Sequence, residues 1–89
     1  MSHSEGKFRL LLVDDEPSVL SSLKRIFFED EYQIHTAGNG AQALELLAEI
    51  KMDAALIDLK MPGMDGLTLL KTMGEDFPQT MVKIGRAHV

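Results

Sequence analysis

The stretch Phe8-Arg9-Leu10-Leu11-Leu12-Val13-Asp14-Asp15-Glu16-Pro17 sets the architecture of this 89-residue chain. An apolar run without polar alternation suits a strand buried on both faces, as in a parallel sheet with helices above and below. The run stops abruptly at three acidic residues. Pro17 then opens a segment in which Val19, Leu20, Leu23, Ile26 and Phe27 recur at helical spacing. Proline is favoured in a helix's first turn, where its missing N–H has no intrahelical acceptor. The acids just before it suit the positive end of the helix dipole.

The same grammar repeats downstream. Residues 32–37 read as a second strand, followed by the turn Gly38-Asn39-Gly40. Residues 41–51 read as a helix, with Ala43, Leu44, Leu47 and Ile50 on one face and Glu45 and Glu49 on another. Residues 53–59 form a third strand, apolar from Ala54 to Ile57 before Asp58 interrupts it. Met61-Pro62-Gly63-Met64-Asp65-Gly66 is a loop rich in turn formers. Leu67, Leu70, Met73 and Phe77 give a third amphipathic helix, closed off near Pro78. Thr80-Met81-Val82 opens a fourth apolar stretch that is expected not to develop. Strict alternation of strand and helix implies a parallel sheet with right-handed crossovers, an open α/β fold.

Bulk properties narrow the function classes. The length allows one domain at most, and an apolar fraction of 45% argues against disorder. Zero Cys excludes disulfides and Cys-based zinc sites. A net charge of −5 disfavours nucleic acid as a direct partner, because phosphate contacts need a basic face. No apolar run approaches the roughly 20 residues of a membrane span. Residues 1–7 are polar, without the apolar region of a signal peptide, so a flexible tail and a cytoplasmic location are the expectation.

In open parallel sheets, ligands bind beyond the carboxyl ends of the strands, where the strand order reverses. The first strand ends in Asp14-Asp15 and the third in Asp58. If those strands are neighbours, three carboxylates meet at one rim. Two like charges about 4 Å apart repel by about 4 kcal/mol at an effective dielectric near 20, and a divalent cation relieves that repulsion. Hard oxygen ligands with open positions suit Mg2+, and a carboxylate beside it can attack a phosphoryl group. The ordinary reading of Asp14-Asp15 alone is a turn or helix cap; Asp58, ending a second buried strand, shifts the balance towards a site. A calcium loop is excluded, since no D-x-D-x-D-G spacing is present.

Leu11-Leu12-Val13-Asp14-Asp15-Glu16-Pro17 followed by Asp58-Leu59-Lys60-Met61-Pro62-Gly63-Met64-Asp65-Gly66 resembles the receiver domains of two-component response regulators. Both motifs occur in order, separated by a matching β-α-β-α-β pattern. The resemblance implies a flavodoxin-like, three-layer αβα fold of strand order 2-1-3-4-5. It makes Asp58 the phospho-acceptor, with Mg2+ held by Asp14, Asp15, Asp58 and the backbone carbonyl of Lys60. It shapes the loop over the site with Pro62 and Gly63, and lets Gly66 turn the backbone into the third helix. It implies a histidine kinase or phosphotransfer protein as donor, docking on the first helix, and an output domain downstream. The implied role is a signalling switch that catalyses only its own phosphotransfer and dephosphorylation, not a metabolic enzyme.

Departures from the family pattern concern the end of the chain. Receivers end their fourth strand in Ser or Thr and their fifth in Lys. The first of these positions falls near Arg86, and the pattern's fifth strand and last two helices are expected to be lacking. Ile84-Gly85-Arg86-Ala87-His88-Val89 is the translation of ATC GGA AGA GCA CAC GTC, which resembles a widely used sequencing adapter. The expected division is therefore a tail over 1–7, a partial receiver over 8–82, and a non-native read-through tail over 83–89. A partial receiver should leave Leu11, Val13, Ile26 and Ile57 short of partners, and the chain molten, aggregating or partner-dependent. His35 reads as a half-exposed sheet residue, and Met61, Met64 and Met73 as loop or core. Arg9, Lys24, Arg25 and Lys51 read as solvated faces. Two other functions stand beside the switch. A phosphorylation-independent binding module is disfavoured by the intact acidic trio. A Mg2+-dependent phosphohydrolase needs a D-x-D spacing that Asp14-Asp15-Glu16-Pro17 lacks.

Overall fold

Leu10 to Val13 lie at the centre of the molecule because a strand flanks them on either side. The computed structural model describes residues 7–27, 32–58 and 66–85. In chain order these form β1 (Phe8–Val13), α1 (Pro17–Ile26), β2 (Tyr32–Ala37), α2 (Gly40–Glu49), β3 (Ala54–Asp58), α3 (Gly66–Asp76) and β4 (Met81–Gly85). All pairings are parallel, and the strands lie in the order β2-β1-β3-β4. The reversal of strand order falls between β1 and β3, the two strands that end in carboxylates.

Alternation along β1 feeds two cores. Leu11 and Val13 join Ala37, Ala55 and Ile57 under α2 and α3, which contribute Ala43, Leu47, Leu69 and Met73. Leu10, Leu12 and Ala54 face the other way, towards Leu20 and Leu23 of α1 and Phe27 at its C-terminal end. This is the three-layer arrangement that the alternation implies. Leu11, Val13 and Ile57 are fully buried, contrary to the expectation that they lack partners, because α2 and α3 already cover their face of the sheet. Ile26 is the exception, 69% exposed. It lies roughly 90° round the helix from the Leu20, Leu23 and Phe27 stripe, so it faces solvent rather than the sheet.

The fourth strand corrects the sequence reading. It runs five residues, to Gly85, in register with β3 from Ala54↔Met81 to Asp58↔Gly85. A parallel ladder bonds through main-chain groups, which any non-proline residue supplies, so the strand continues past Val82 where the apolar run stops. Met81 and Ile84 stay exposed, while Val82 packs against the α2–α3 core.

Local chemistry sets the ends of the elements. Pro17 occupies the first turn of α1, as its missing donor allows. Asn39 caps α2, its side chain accepting from Gln42 N–H at 2.9 Å, and Gln42 Oε1 in return accepts from Gly38 N–H at 2.8 Å. Asp53 pins the lower ends of three strands. Its carboxylate accepts from Arg9 N–H at 2.7 Å, its own N–H donates to Arg9 O, and its carbonyl accepts from Met81 N–H. Thr80 is buried with its hydroxyl donating to Met52 O at 2.8 Å. No described helix is long and apolar enough to cross a membrane.

Candidate functional site

Side by side, β1 and β3 carry their terminal carboxylates to the same rim of the sheet. Asp14 follows β1 directly and Asp58 is the last residue of β3. Oxygen atoms of Asp14, Asp15 and Asp58 all lie within 4.8 Å of one another. Asp14 is 3% exposed and Asp58 9%, whereas Asp15 is open to solvent. Two buried carboxylates and one exposed one, converging on one point, form a hard-oxygen donor set with an open side. That set fits a small divalent cation and leaves room for a further oxygen ligand.

The backbone holds Asp14 in place. Its N–H donates to Ala37 O at 3.1 Å, continuing the β1–β2 ladder by one residue. Its Oδ1 accepts from Glu16 N–H at 3.0 Å, a side-chain turn that leads the chain into α1. The ordinary reading of an aspartate at a strand end, a turn former, is thus true of Asp14. Burial pushes the Asp14 carboxyl above its usual 3.8; the Glu16 amide pulls it back, and the charges of Asp58, Asp15 and Glu16 push it further up. A carboxylate pushed up by burial and like charges gains from a cation placed among the three.

The structure therefore brings together Asp14, Asp15 and Asp58, the three side chains named from sequence. Lys60, Pro62 and Gly63 lie outside the described residues, as do Met61 and Met64; Gly66 is buried at the start of α3. The carbonyl of Ala37 escaped the sequence reading. Its one available signal is the equal length of the runs at 8–13 and 32–37, which pair residue for residue and leave Ala37 level with Val13.

Residues 10–88 match the response regulator receiver domain family. The chain belongs to that family. Among curated proteins, the receiver is 40% identical over 65 residues to sporulation initiation phosphotransferase F of Bacillus subtilis, spanning 73% of this chain and 52% of that protein. It is 40% identical over 80 residues to the regulatory protein AtoC of Escherichia coli, spanning 90% of this chain but 17% of that one. The chain thus spans about half the length of the first of these relatives and under a fifth of the second. Among solved structures, a signal receiver domain of an HD domain-containing protein from Pseudomonas fluorescens superposes with a TM-score of 0.84 at 32% identity. That match covers 88% of this chain and 62% of the other. The response regulator TrrA of Thermotoga maritima, crystallised in complex with Mg(2+)-BeF, gives 0.79 at 33% identity, covering 84% and 65%. The flavodoxin-like receiver fold implied by the two sequence motifs is the fold these neighbours share.

Proposed function

We propose that this receiver takes a phosphoryl group onto Asp58 from a phosphohistidine of a histidine kinase or phosphotransfer protein, in a Mg2+-dependent reaction. The observation that carries the reading is the convergence of Asp14, Asp15 and Asp58 within 4.8 Å at the carboxyl ends of adjacent strands. Asp14 and Asp15 would hold the metal, and Asp58 and the backbone carbonyl of Lys60 would be the remaining protein ligands. When bound, Mg2+ neutralises charge on the phosphoryl oxygens as they approach the carboxylates. Asp58 supplies the nucleophilic oxygen, fixed in position by β3. The new O–P bond forms as the P–N bond of the donor breaks, and the leaving imidazole nitrogen retains the electron pair. Asp14, anchored by Ala37 and Glu16, keeps the metal side of the site in place while charge is redistributed.

The response regulator TrrA of Thermotoga maritima, crystallised in complex with Mg(2+)-BeF and 33% identical over the aligned residues, supports the choice of metal. The phosphorylated state is relayed to an output domain, and a cytoplasmic setting goes with such a donor. Incubating the protein with Mg2+ and acetyl phosphate tests the reading by intact mass. A gain of one phosphoryl group that Asp58→Asn abolishes supports it. A gain that survives Asp58→Asn, or steady turnover of a phosphate monoester, overturns it.

A further inference from the structure

His35 sits midway along β2, paired with Leu11 of β1. It lies on the sheet face that carries Leu11, Val13 and Ala37, the face covered by α2 and α3. Its Nε2 is buried and has no hydrogen-bond partner among the described residues. A neutral imidazole tolerates this by leaving that nitrogen as an unprotonated lone pair. The residue as a whole is half-buried, but an imidazolium would carry a buried N–H at Nε2 with no acceptor among the described residues.

The charged surroundings offer no relief. On β1, Arg9 stands one same-face position from Leu11, its Nε donating to Gln33 Oε1 at 3.0 Å. On α2 the titratable groups are Glu45 and Glu49, both exposed; β2 itself adds Tyr32. Burial and then the Arg9 charge hold the imidazole below its usual 6.5. The strand concerned is the outermost of the sheet, bonded on one side to β1 alone. Its last residue, Ala37, supplies the carbonyl that accepts the Asp14 N–H.

We propose that protonation of His35 loosens edge strand β2 and, with it, the Ala37 carbonyl that holds Asp14, so that the edge is packed at neutral pH and unpacked in acid. The mechanism needs no metal and no phosphoryl group. The unfolded chain takes up the proton first as pH falls. The stability contributed by neutral His35 is therefore fully present above about 6.5 and is lost as pH drops through that value towards the lower folded-state value. A single-proton difference changes the unfolding equilibrium by at most about tenfold per pH unit in that window.

Denaturant unfolding of the chain, of His35→Leu and of His35→Gln between about pH 7.5 and about pH 5 tests this. His3 and His88 are common to all three and cancel. The expected result is an unfolding constant that rises several-fold more in acid for the parent chain than for either variant. The protection factor of the Asp14 amide should also fall in acid in the parent alone. Parallel pH profiles overturn the proposal, as does unchanged Asp14 protection. If both variants fail to fold, the parent's own imidazole titration decides. A His35 ring that titrates below 6.5 while Asp14 amide protection falls over the same pH range supports the proposal; a ring at or above 6.5, or unchanged protection, overturns it.

Discussion

Replacing Asp14 by Asn keeps the side chain's shape and the oxygen that accepts Glu16 N–H, and deletes one buried charge. The three carboxylates lie within 4.8 Å of one another. Unit charges at that distance repel by about 3 kcal/mol at an effective dielectric of 20 and by about 1 kcal/mol in water. Asp14 and Asp58 are both buried, so their pair falls towards the upper figure; Asp15 is exposed and its share is screened. Without divalent cations, Asp14→Asn should therefore stabilise the fold by about 1–3 kcal/mol, each kcal/mol raising Tm by about 4–8 °C in a domain of this size. The pH dependence has a definite sign. The folded Asp14 carboxyl is raised above 3.8, so its ionisation opposes folding. The parent should regain stability as pH falls through the folded value towards 3.8, and the variant should lack that component. Mg2+ reverses the ranking, because a ligand at a hundredfold excess over its Kd stabilises by about 2.7 kcal/mol and the variant has lost a ligand charge. Urea unfolding of both proteins in EDTA and in Mg2+ reads all three effects. A variant less stable than the parent in EDTA, or one gaining equally from Mg2+, would refute the reasoning.

Substitutions at three further positions test the framework around the site. Asn39→Ala removes the α2 cap and should cost about 1 kcal/mol in urea unfolding, whereas Asn39→Asp should be tolerated. Gly74→Ala places a methyl group where nothing lies within 4 Å, inside α3, and should stabilise by about 0.5–1 kcal/mol. A loss of stability there would show that the helix is not regular at that point. Thr80→Val keeps the volume but removes the donor to Met52 O, and should cost about 1–2 kcal/mol by thermal melting.

Much of the fold was legible because its sequence signals are local. The unalternating runs at β1 and β3 and the helical spacing of α2 and α3 each point to one structure. Placing β1 beside β3 follows from topology, and the meeting of Asp14 with Asp58 follows from that. Details requiring tertiary context were not legible. Ile26 shares the apolar pattern of α1, yet the helix presents Leu20, Leu23 and Phe27 to the sheet instead. The extent of β4 escaped the sequence reading because residues 83–89 read as a non-native tail, whereas main-chain pairing to β3 carries the strand on through Ile84 to Gly85. His35 is half-buried, as the sequence reading has it, but that its Nε2 is shut off without a partner among the described residues is invisible in Tyr32–Ala37.

Borohydride reduction after phosphorylation reports the acceptor directly, because an aspartyl phosphate is reduced to homoserine while free carboxylates are spared. With Mg2+ and a phosphodonor present, homoserine should appear at position 58 and should vanish when EDTA replaces the metal. Homoserine at Asp14 or Asp15, or formation at Asp58 that is indifferent to Mg2+, would contradict the assignment of Asp58 as acceptor and of its two neighbours as the metal-holding pair.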